Sequence, residues 1–191
     1  MSKKNATLTL PTGEMVDLPI LKGSYGPDVI DVSGLLKAGY FTYDIGFMST
    51  AASESKITFI DGDAGVLLHR GYSIEDLAEH SDFLETCYLL WYGQLPSAPQ
   101  KAEFVSQITR HTMVHESLAH FFEGFQYNAH PMAMMCGAVG ALSAFYHDVM
   151  DIRSERDREI AAHRLVAKMP TIASMCYKHS IGQPFMYPRN D

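Results

Sequence analysis

Two histidines four residues apart are the first feature of this chain that suggests chemistry. His111 and His115 lie in the segment RHTMVHE, together with Arg110 and Glu116. If one helix carried both histidines they would share a face, and zinc would accept such a pair with a third ligand. The order H-x-x-x-H-E differs from the H-E-x-x-H of metalloproteases. The pattern therefore favours helix-surface or hydrogen-bonded histidines over a metal site.

A pair of cations four residues apart is the second such feature. Arg164 and Lys168 would share one face of a helix, and Tyr146 ends the preceding predicted helix. Two cations and a ring suit a phosphate-bearing nucleotide, because the cations bind phosphate oxygens and the ring packs on the base. If one helix ended at Arg110 and the next began near Thr112, backbone N–H groups there would also cradle an anion. By spacing alone, a solvated basic face is the favoured alternative.

Charge and composition narrow the class of protein. The chain of 191 residues has a formal net charge of −7, with 47% hydrophobic and 19% charged residues. A nucleic-acid-binding surface would be basic, so we expect no nucleic-acid partner. The share of charged residues is below the roughly 25% of ordinary soluble domains. We therefore expect some apolar surface to be covered by a partner or by further chain.

Cysteines and apolar runs indicate the compartment. Cys87, Cys136 and Cys176 are far apart and odd in number, which predicts buried free thiols in a reducing environment. The longest apolar run, 132–146, is shorter than the roughly 20 residues that a membrane-spanning helix needs. The N-terminus has no continuous apolar segment typical of a secretory signal. We expect a cytoplasmic protein with no membrane partner.

The first third of the sequence is rich in β signals. Residues 15–21 are typical of a strand, and residues 56–72 predict a hairpin. Asp61-Gly62 is expected to supply its turn, because glycine accepts a positive φ. A calcium loop is the less favoured alternative, since the downstream glutamate of an EF-hand loop is missing. Residues 1–70 are predicted to form a small antiparallel β-rich region.

From Ser73 onward the apolar period becomes helical. Ser73 and Ser97 are predicted to cap helices, Pro131 to open another at its first position, and Ser154 to begin a long one. The predicted fold class is mainly α, and residues 71–191 are predicted to form its helical domain. The long helix is expected to kink near its internal proline.

The helix from Pro131 carries a stripe of small residues at Ala133, Gly137 and Ala141. Such a stripe lets another helix backbone approach closely. A buried core helix is the favoured interpretation, and a helix at a subunit interface is the alternative. The sequence pattern is compatible with both.

Four long segments of the chain resemble citrate synthases, and they match successive blocks of that family in the same order. They are FMSTAASESKITFIDGDAGVLLHRGYSIEDLA, ETCYLLWYGQLP, HPMAMMCGAVGALSAFYHD and EIAAHRLVAKMPTIASMCYKHSIGQPFMYPRND. The segment RHTMVHE and the β-rich N-terminus resemble the bacterial type II subgroup, whose enzymes are typically hexamers inhibited by NADH. The resemblance implies the citrate-synthase-like helical fold, preceded by the small β-rich region.

The resemblance also implies an enzyme, an acyltransferase that converts acetyl-CoA, oxaloacetate and water to citrate and CoA at the entry to the tricarboxylic acid cycle. In that family an aspartate and two histidines perform the chemistry, and no metal or bound cofactor is required. No histidine of this chain matches those catalytic motifs. The chain is therefore identified as the N-terminal portion of such an enzyme, with no catalytic residue of its own, and is expected to be inactive by itself.

In type II enzymes one group of positions forms an allosteric NADH site, and the matching residues here are Arg110, His111, Thr112, Met113, Tyr146, Arg164 and Lys168. The resemblance thus favours nucleotide binding over both the solvated basic face and the metal site. It further implies self-association into dimers, and into a hexamer as a trimer of dimers. The alternatives are a methylcitrate synthase that uses propionyl-CoA, and a non-catalytic helical module that self-associates.

Overall fold

The computed structural model describes residues 4–189, which form two small antiparallel sheets and six α-helices. The strands are β1 (Asn5–Thr9), β2 (Met15–Leu21), β3 (Val29–Ile30), β4 (Thr58–Asp61), β5 (Val66–His69) and β6 (Tyr72–Ser73). The helices are α1 (Ile74–His80), α2 (Phe83–Tyr92), α3 (Ala98–Arg110), α4 (Ser117–Glu123), α5 (Pro131–Phe145) and α6 (Glu155–Ser180). Short 3₁₀ helices cover Ser33–Ala38 and Ile45–Phe47. The predicted mainly α fold with a small antiparallel β-rich N-terminal region is confirmed.

The chain divides into two compact units between Ser81 and Asp82. The first unit contains the sheets β1-β2-β3 and β4-β5-β6 together with α1, and the second contains α2 to α6. The boundary after residue 70 between a β-rich region and a helical domain stays a prediction from the sequence.

The predicted hairpin in the first unit is present. Strands β4 and β5 pair antiparallel, with Asp61 opposite Val66 at the turn. The Asp61 carboxylate accepts hydrogen bonds from the backbone N–H groups of Asp63 and Ala64 at 3.1 and 3.0 Å, so this acidic side chain closes the turn. The positive φ of +67° belongs to Gly65, whereas Gly62 was the glycine expected to supply it.

Side-chain caps define the predicted helix starts. The Ser73 hydroxyl accepts a hydrogen bond from the backbone N–H of Asp76 at 3.0 Å, and Ser154 accepts one from Asp157 at 3.3 Å. These bonds satisfy donors that a helix N-terminus leaves unpaired. Helix α6 then continues through Pro170 to Ser180, so the proline does not end it.

The core of the second unit forms around α6. On one side Ala167 packs with Phe104 and Ile108 of α3. On the other side α6 contributes to a larger cluster shared with α4 and α5, made of Leu118, Phe122, Met134, Ala138, Leu142, Ile172, Met175 and Cys176. Helix α6 packs against α3 on one side and against α4 and α5 on the other. The α6 side chains between these two contact regions are therefore held in place.

One face of α5 belongs to the core, although the small-residue stripe lies beside that face, with Ala133 exposed and Gly137 and Ala141 half-buried. Met134 and Ala138 on that face are fully buried. Gly137 lies close to another chain segment, since a Cβ there would lie 3.2 Å from the Phe125 ring. Cys136 is exposed, and the prediction that all three thiols are buried is therefore wrong: only Cys176 is fully buried. The periodicity placed Cys136 in an apolar run, but a residue two positions after Met134 points away from the core face.

Candidate functional site

The segment between α3 and α4 is a non-helical connector of residues 111–116. Helix α3 ends at Arg110 as expected, but the next helix begins only at Ser117. The expectation of a helix start near Thr112 is therefore wrong, and so is the anion cradle built on it. His111 and His115 also do not share a helix face, which removes the geometry on which the zinc alternative depended.

Three successive carbonyl groups of the connector face α6. The Lys168 ammonium donates hydrogen bonds to the carbonyl oxygens of His111 and Met113, at 2.7 and 2.5 Å. The Thr171 hydroxyl donates to the carbonyl oxygen of Thr112 at 2.8 Å. These bonds come from residues more than fifty positions away, and they satisfy carbonyls that would otherwise be left unpaired by the end of a helix.

Lys168 is buried, with only 3% of its surface exposed. Burial and the neighbouring Arg164 lower the pKa of Lys168 from its ordinary value of 10.5 to about 8. The two carbonyl dipoles and the face of Tyr146 act in the opposite sense, because both stabilise an ammonium ion. At neutral pH the site therefore contains a buried positive charge. The solvated basic face favoured by spacing alone is wrong for this residue.

The ring of Tyr146 lies under both cations. The Lys168 Nζ atom is 4.7 Å from the ring centroid and the Arg164 Cζ atom is 5.1 Å from it. Cations at this distance from an aromatic face are attracted by its negative potential. Tyr146 directly follows α5, whereas both cations belong to α6, so packing of α5 on α6 assembles what we call the basic cluster: Tyr146, Arg164 and Lys168.

Arg164 is already paired with a carboxylate. Its Nη1 and Nη2 atoms donate to Oδ1 and Oδ2 of Asp148 at 2.8 and 2.9 Å. This two-point contact lowers the pKa of the Asp148 carboxyl to about 2, chiefly through the hydrogen bonds from Arg164. The same contact raises the pKa of Arg164. The pair is asymmetric in exposure: the Asp148 side chain is 62% exposed and that of Arg164 only 18%.

The structure brings most of the sequence-predicted site residues together. The connector supplies His111, Thr112 and Met113, and each of them offers its backbone carbonyl to α6. The pKa of the His111 imidazole is lowered, first by burial and then by Lys168 and Arg164, so this ring is neutral at physiological pH. Arg110 is the exception. It ends α3 with an exposed side chain, which makes no hydrogen bond or ion pair within residues 4–189.

Sequence reasoning did not assign Asp148 and Thr171 to the site. Asp148 follows Tyr146 by two residues, but it pairs with Arg164 sixteen positions later, and no local pattern in the sequence indicates that contact. Thr171 follows Lys168 by three residues, which places both on one face of α6. Once α6 was predicted as a helix, this spacing could have indicated that Thr171 lies at the site beside Lys168.

An apolar cavity of about 200 Å³ adjoins the connector. Its walls are formed by the connector, α4, α6 and the segment after α6: Val114, His115, Glu116, Ala119, Thr171, Met175, Phe185, Met186, Tyr187 and Pro188. The Tyr187 hydroxyl donates to the Glu116 carboxylate at its edge, at 3.3 and 3.4 Å. Thr171 lines this cavity and also donates to the Thr112 carbonyl, so the cavity and the basic cluster contact the same connector.

Metal-binding groups and membrane-spanning helices are both absent from residues 4–189. Within residues 4–189, no three side chains of the histidine, cysteine, aspartate and glutamate types converge as a metal-binding group would require. Over the same range, no helix has both the length and the apolarity to cross a membrane. His115 instead stacks on Phe145 and accepts a hydrogen bond from the backbone of Ser117.

Comparison with known proteins gives one matching family. The family model described as citrate synthase, C-terminal domain, matches residues 46–191. Among solved structures, citrate synthase from Pyrobaculum aerophilum is 26% identical and has a TM-score of 0.68, covering 99% of this chain and 42% of its own. Citrate synthase from Thermotoga maritima is 28% identical with a TM-score of 0.64, covering 78% of this chain and 38% of its own.

A third solved structure supports the fold alone because its sequence identity is low. It is citrate synthase from Thermoplasma acidophilum in a ternary complex with carboxymethyl coenzyme A and oxaloacetate. It is 22% identical with a TM-score of 0.68, covering 74% of this chain and 37% of its own. The present chain thus spans about two fifths of the length of these structures.

Proposed function

Since the chain belongs to the citrate synthase family, we propose that it is the N-terminal portion of a type II citrate synthase and that its basic cluster is part of an allosteric NADH site. The observation that carries the proposal is the convergence of Tyr146, Arg164 and Lys168 with the connector in one place. Spacing along the sequence alone favoured a solvated face for the two cations. The burial of Lys168 and the contact of both cations with one ring favour a built site instead.

Each part of the site has its own task in this proposal. Arg164 donates to Asp148 through Nη1 and Nη2, and its guanidinium is the group suited to contact a ligand phosphate directly. Lys168 fixes the connector and adds a buried positive charge beneath it. The adjoining cavity is lined mainly by apolar side chains, and we propose that it accepts one of the flat rings of NADH.

The test of this site is the pH dependence of NADH binding. The affinity for NADH is expected to fall by roughly ten-fold as the pH rises through about 8, because Lys168 loses its charge there. An interaction of the size of a hydrogen bond to a charged group, about 1.5–3 kcal/mol, is then lost from the binding free energy. The other groups keep their charge state in this range: His111 is already neutral, Asp148 ionised and Tyr146 protonated.

NADH fluorescence, titrated at constant ionic strength about one pH unit below and one above that pKa, measures the affinities. The phosphodiester charges of NADH stay constant over the same range. Absence of NADH binding at both pH values would contradict the proposal. Equal affinities would show that the ligand does not use the charge of Lys168.

The reaction that we propose for the complete enzyme is condensation of acetyl-CoA with oxaloacetate and water to give citrate and CoA. The family membership supports an enzyme of the acyltransferase kind. No metal or bound organic cofactor is needed in this proposal, and NADH acts as an inhibitor. Methylcitrate synthase of the same family, with propionyl-CoA as its substrate, and a non-catalytic helical self-association module are the alternatives.

The chain of 191 residues is expected to release no CoA thiol from acetyl-CoA and oxaloacetate. The reason is chemical: the sequence has no match to the aspartate and histidine motifs that perform the family's reaction. A thiol-release assay on the purified chain, with an active citrate synthase as the positive control, measures the rate. Turnover above background would show that this chain carries catalytic residues of its own. Release from propionyl-CoA alone would favour the methylcitrate alternative.

We further propose that the chain self-associates, as a dimer and as a hexamer built from three dimers, in the cytoplasm. Several large apolar side chains of the second unit are exposed, among them Phe83, Met132 and Tyr177. The outer face of α5 carries small residues such as Gly140, above which the space is open. Exposed apolar patches and small-residue faces are typical of subunit contacts. Sedimentation velocity at several concentrations measures this association.

A further inference from the structure

The Asp148 carboxylate binds the Arg164 guanidinium in the way that a ligand phosphate would. A carboxylate and a phosphate each offer two oxygens to the fork of a guanidinium. Here both oxygens of Asp148 are engaged, one with Nη1 and one with Nη2 of Arg164. A phosphate approaching the same edge of the guanidinium would meet these oxygens first. The carboxylate and the phosphate therefore compete for one pair of donors.

The exposure of the two partners indicates which one can leave. The Asp148 side chain is 62% exposed, whereas the Arg164 side chain is 18% exposed and stays over the Tyr146 ring. Asp148 lies in the loop between the end of α5 and the start of α6 at Glu155. Its carboxylate can therefore move into water without disturbing a buried contact, while Arg164 remains in position.

We propose that Asp148 is an internal counter-anion of the ligand site, which a phosphate group must displace from Arg164 in order to bind. The occupant in question is the pyrophosphate group of a dinucleotide, so the identity of the ligand rests on the function proposed above. The exchange itself requires only an anion with phosphate chemistry. Asp148 thereby sets the affinity of the site and contributes nothing to holding the ligand.

A purely structural role for the pair makes a different prediction. If Asp148 only fixed the loop after α5, its removal would leave anion affinity unchanged or would lower it by loosening Arg164. If Asp148 competes with the ligand, its removal must raise the affinity. The direction of the change therefore separates the two roles.

The test replaces Asp148 by asparagine, which keeps the shape of the side chain and removes its charge. NADH and inorganic pyrophosphate are both titrated against the purified chain. Asp148→Asn is expected to bind each about five-fold more tightly than the parent protein, the size expected when one largely exposed ion pair no longer competes. Far-UV circular dichroism and the unfolding midpoint verify that the variant is folded.

Two further variants make the result specific. Glu155→Gln removes the same charge from the first turn of α6, outside the basic cluster, and is expected to leave both affinities within about two-fold because exposed charges at a distance are screened. In the double variant Asp148→Asn with Arg164→Leu the gain should disappear, since the two residues act through one contact.

The outcomes separate this inference from the proposed function. Tighter pyrophosphate binding by Asp148→Asn, with no NADH binding by any variant, would support the exchange and overturn the dinucleotide as the ligand. NADH binding that depends on Arg164 but is unchanged or weaker in Asp148→Asn would overturn the exchange. An equal gain in Glu155→Gln, or no anion binding by any variant, would overturn it as well.

Discussion

Replacing Lys168 by methionine is expected to lower the free energy of unfolding by about 2–4 kcal/mol. Methionine keeps the length and the apolar volume of the buried side chain but has no donor. The carbonyl groups of His111 and Met113 would then lose the partner that holds them at 2.7 and 2.5 Å. A buried polar group left without a partner costs about 1–3 kcal/mol, and two are affected here.

The matched control is Lys178→Met, the same substitution ten residues further along α6. Lys178 donates to the Gln183 side chain at the exposed end of the helix, so its loss is expected to cost less than about 1 kcal/mol. Urea denaturation of both variants, with the slope of the transition compared as well as its midpoint, measures the two costs. Equal costs would mean that the connector does not depend on Lys168.

The pH profile of stability provides a second readout for the same lysine. Its folded-state pKa of about 8 is below the ordinary value of 10.5. Between these two values the native chain binds fewer protons than the unfolded chain, so the stability contributed by this group rises with pH across that range. A neutral amine still has two N–H donors for the two carbonyls. The advantage of the parent protein over Lys168→Met should therefore grow as pH rises from about 8 to 10.5.

Local sequence signals were sufficient where a helix end is made by local contacts. Ser154 and Asp157 lie three residues apart, and the cap that they form needs nothing from the rest of the chain. The hairpin turn at Asp61 is similar, because its hydrogen bonds reach only to Asp63 and Ala64. Such contacts are visible in a short window of sequence, and the predicted starts of α3, α5 and α6 were accordingly correct.

The connector was mispredicted because its conformation is set by distant residues. His111 and His115 have helical spacing, and nothing within RHTMVHE forbids a helix start near Thr112. The carbonyls of this segment are held instead by Lys168 and Thr171, which follow by more than fifty positions. The prediction of paired cations on α6 was correct in position, yet the bonds of Lys168 to the connector required knowledge of how α3 packs on α6.

The pairing of Asp148 with Arg164 is a second contact that depends on residues distant in sequence. The two residues are separated by a loop and by more than two turns of α6. A carboxylate and a guanidinium at such a distance in sequence pair in only some folds. Here Tyr146, which lies under the Arg164 guanidinium, brings the end of α5 to that part of α6. Asp148 two residues later is thereby within reach.

Replacing Arg164 by leucine is expected to weaken NADH binding by roughly ten- to a hundred-fold while changing the free energy of unfolding by less than about 1 kcal/mol. In the proposed site Arg164 binds the ligand phosphate, and a hydrogen bond to a charged group contributes about 1.5–3 kcal/mol. Its native partner Asp148 is largely exposed, so loss of that pair costs little stability, and leucine retains apolar contact with the ring of Tyr146. The contrast with Lys168 is physical: one cation holds backbone carbonyls in the interior, and the other faces a carboxylate that water can solvate.

Arg156→Leu is the matched control for this prediction, because Arg156 lies on the same helix with an exposed side chain. It removes an identical charge without touching the basic cluster, and NADH affinity should stay within about two-fold of the parent value once salt screens distant charges. Fluorescence titration of NADH, paired with urea denaturation, measures both quantities for each variant. Unchanged NADH affinity in Arg164→Leu would leave the basic cluster as a purely structural contact between α5 and α6. An equal loss of NADH affinity in Arg156→Leu would assign the binding to the general charge of the helix. A specific phosphate contact instead predicts that only the Arg164 variant loses affinity.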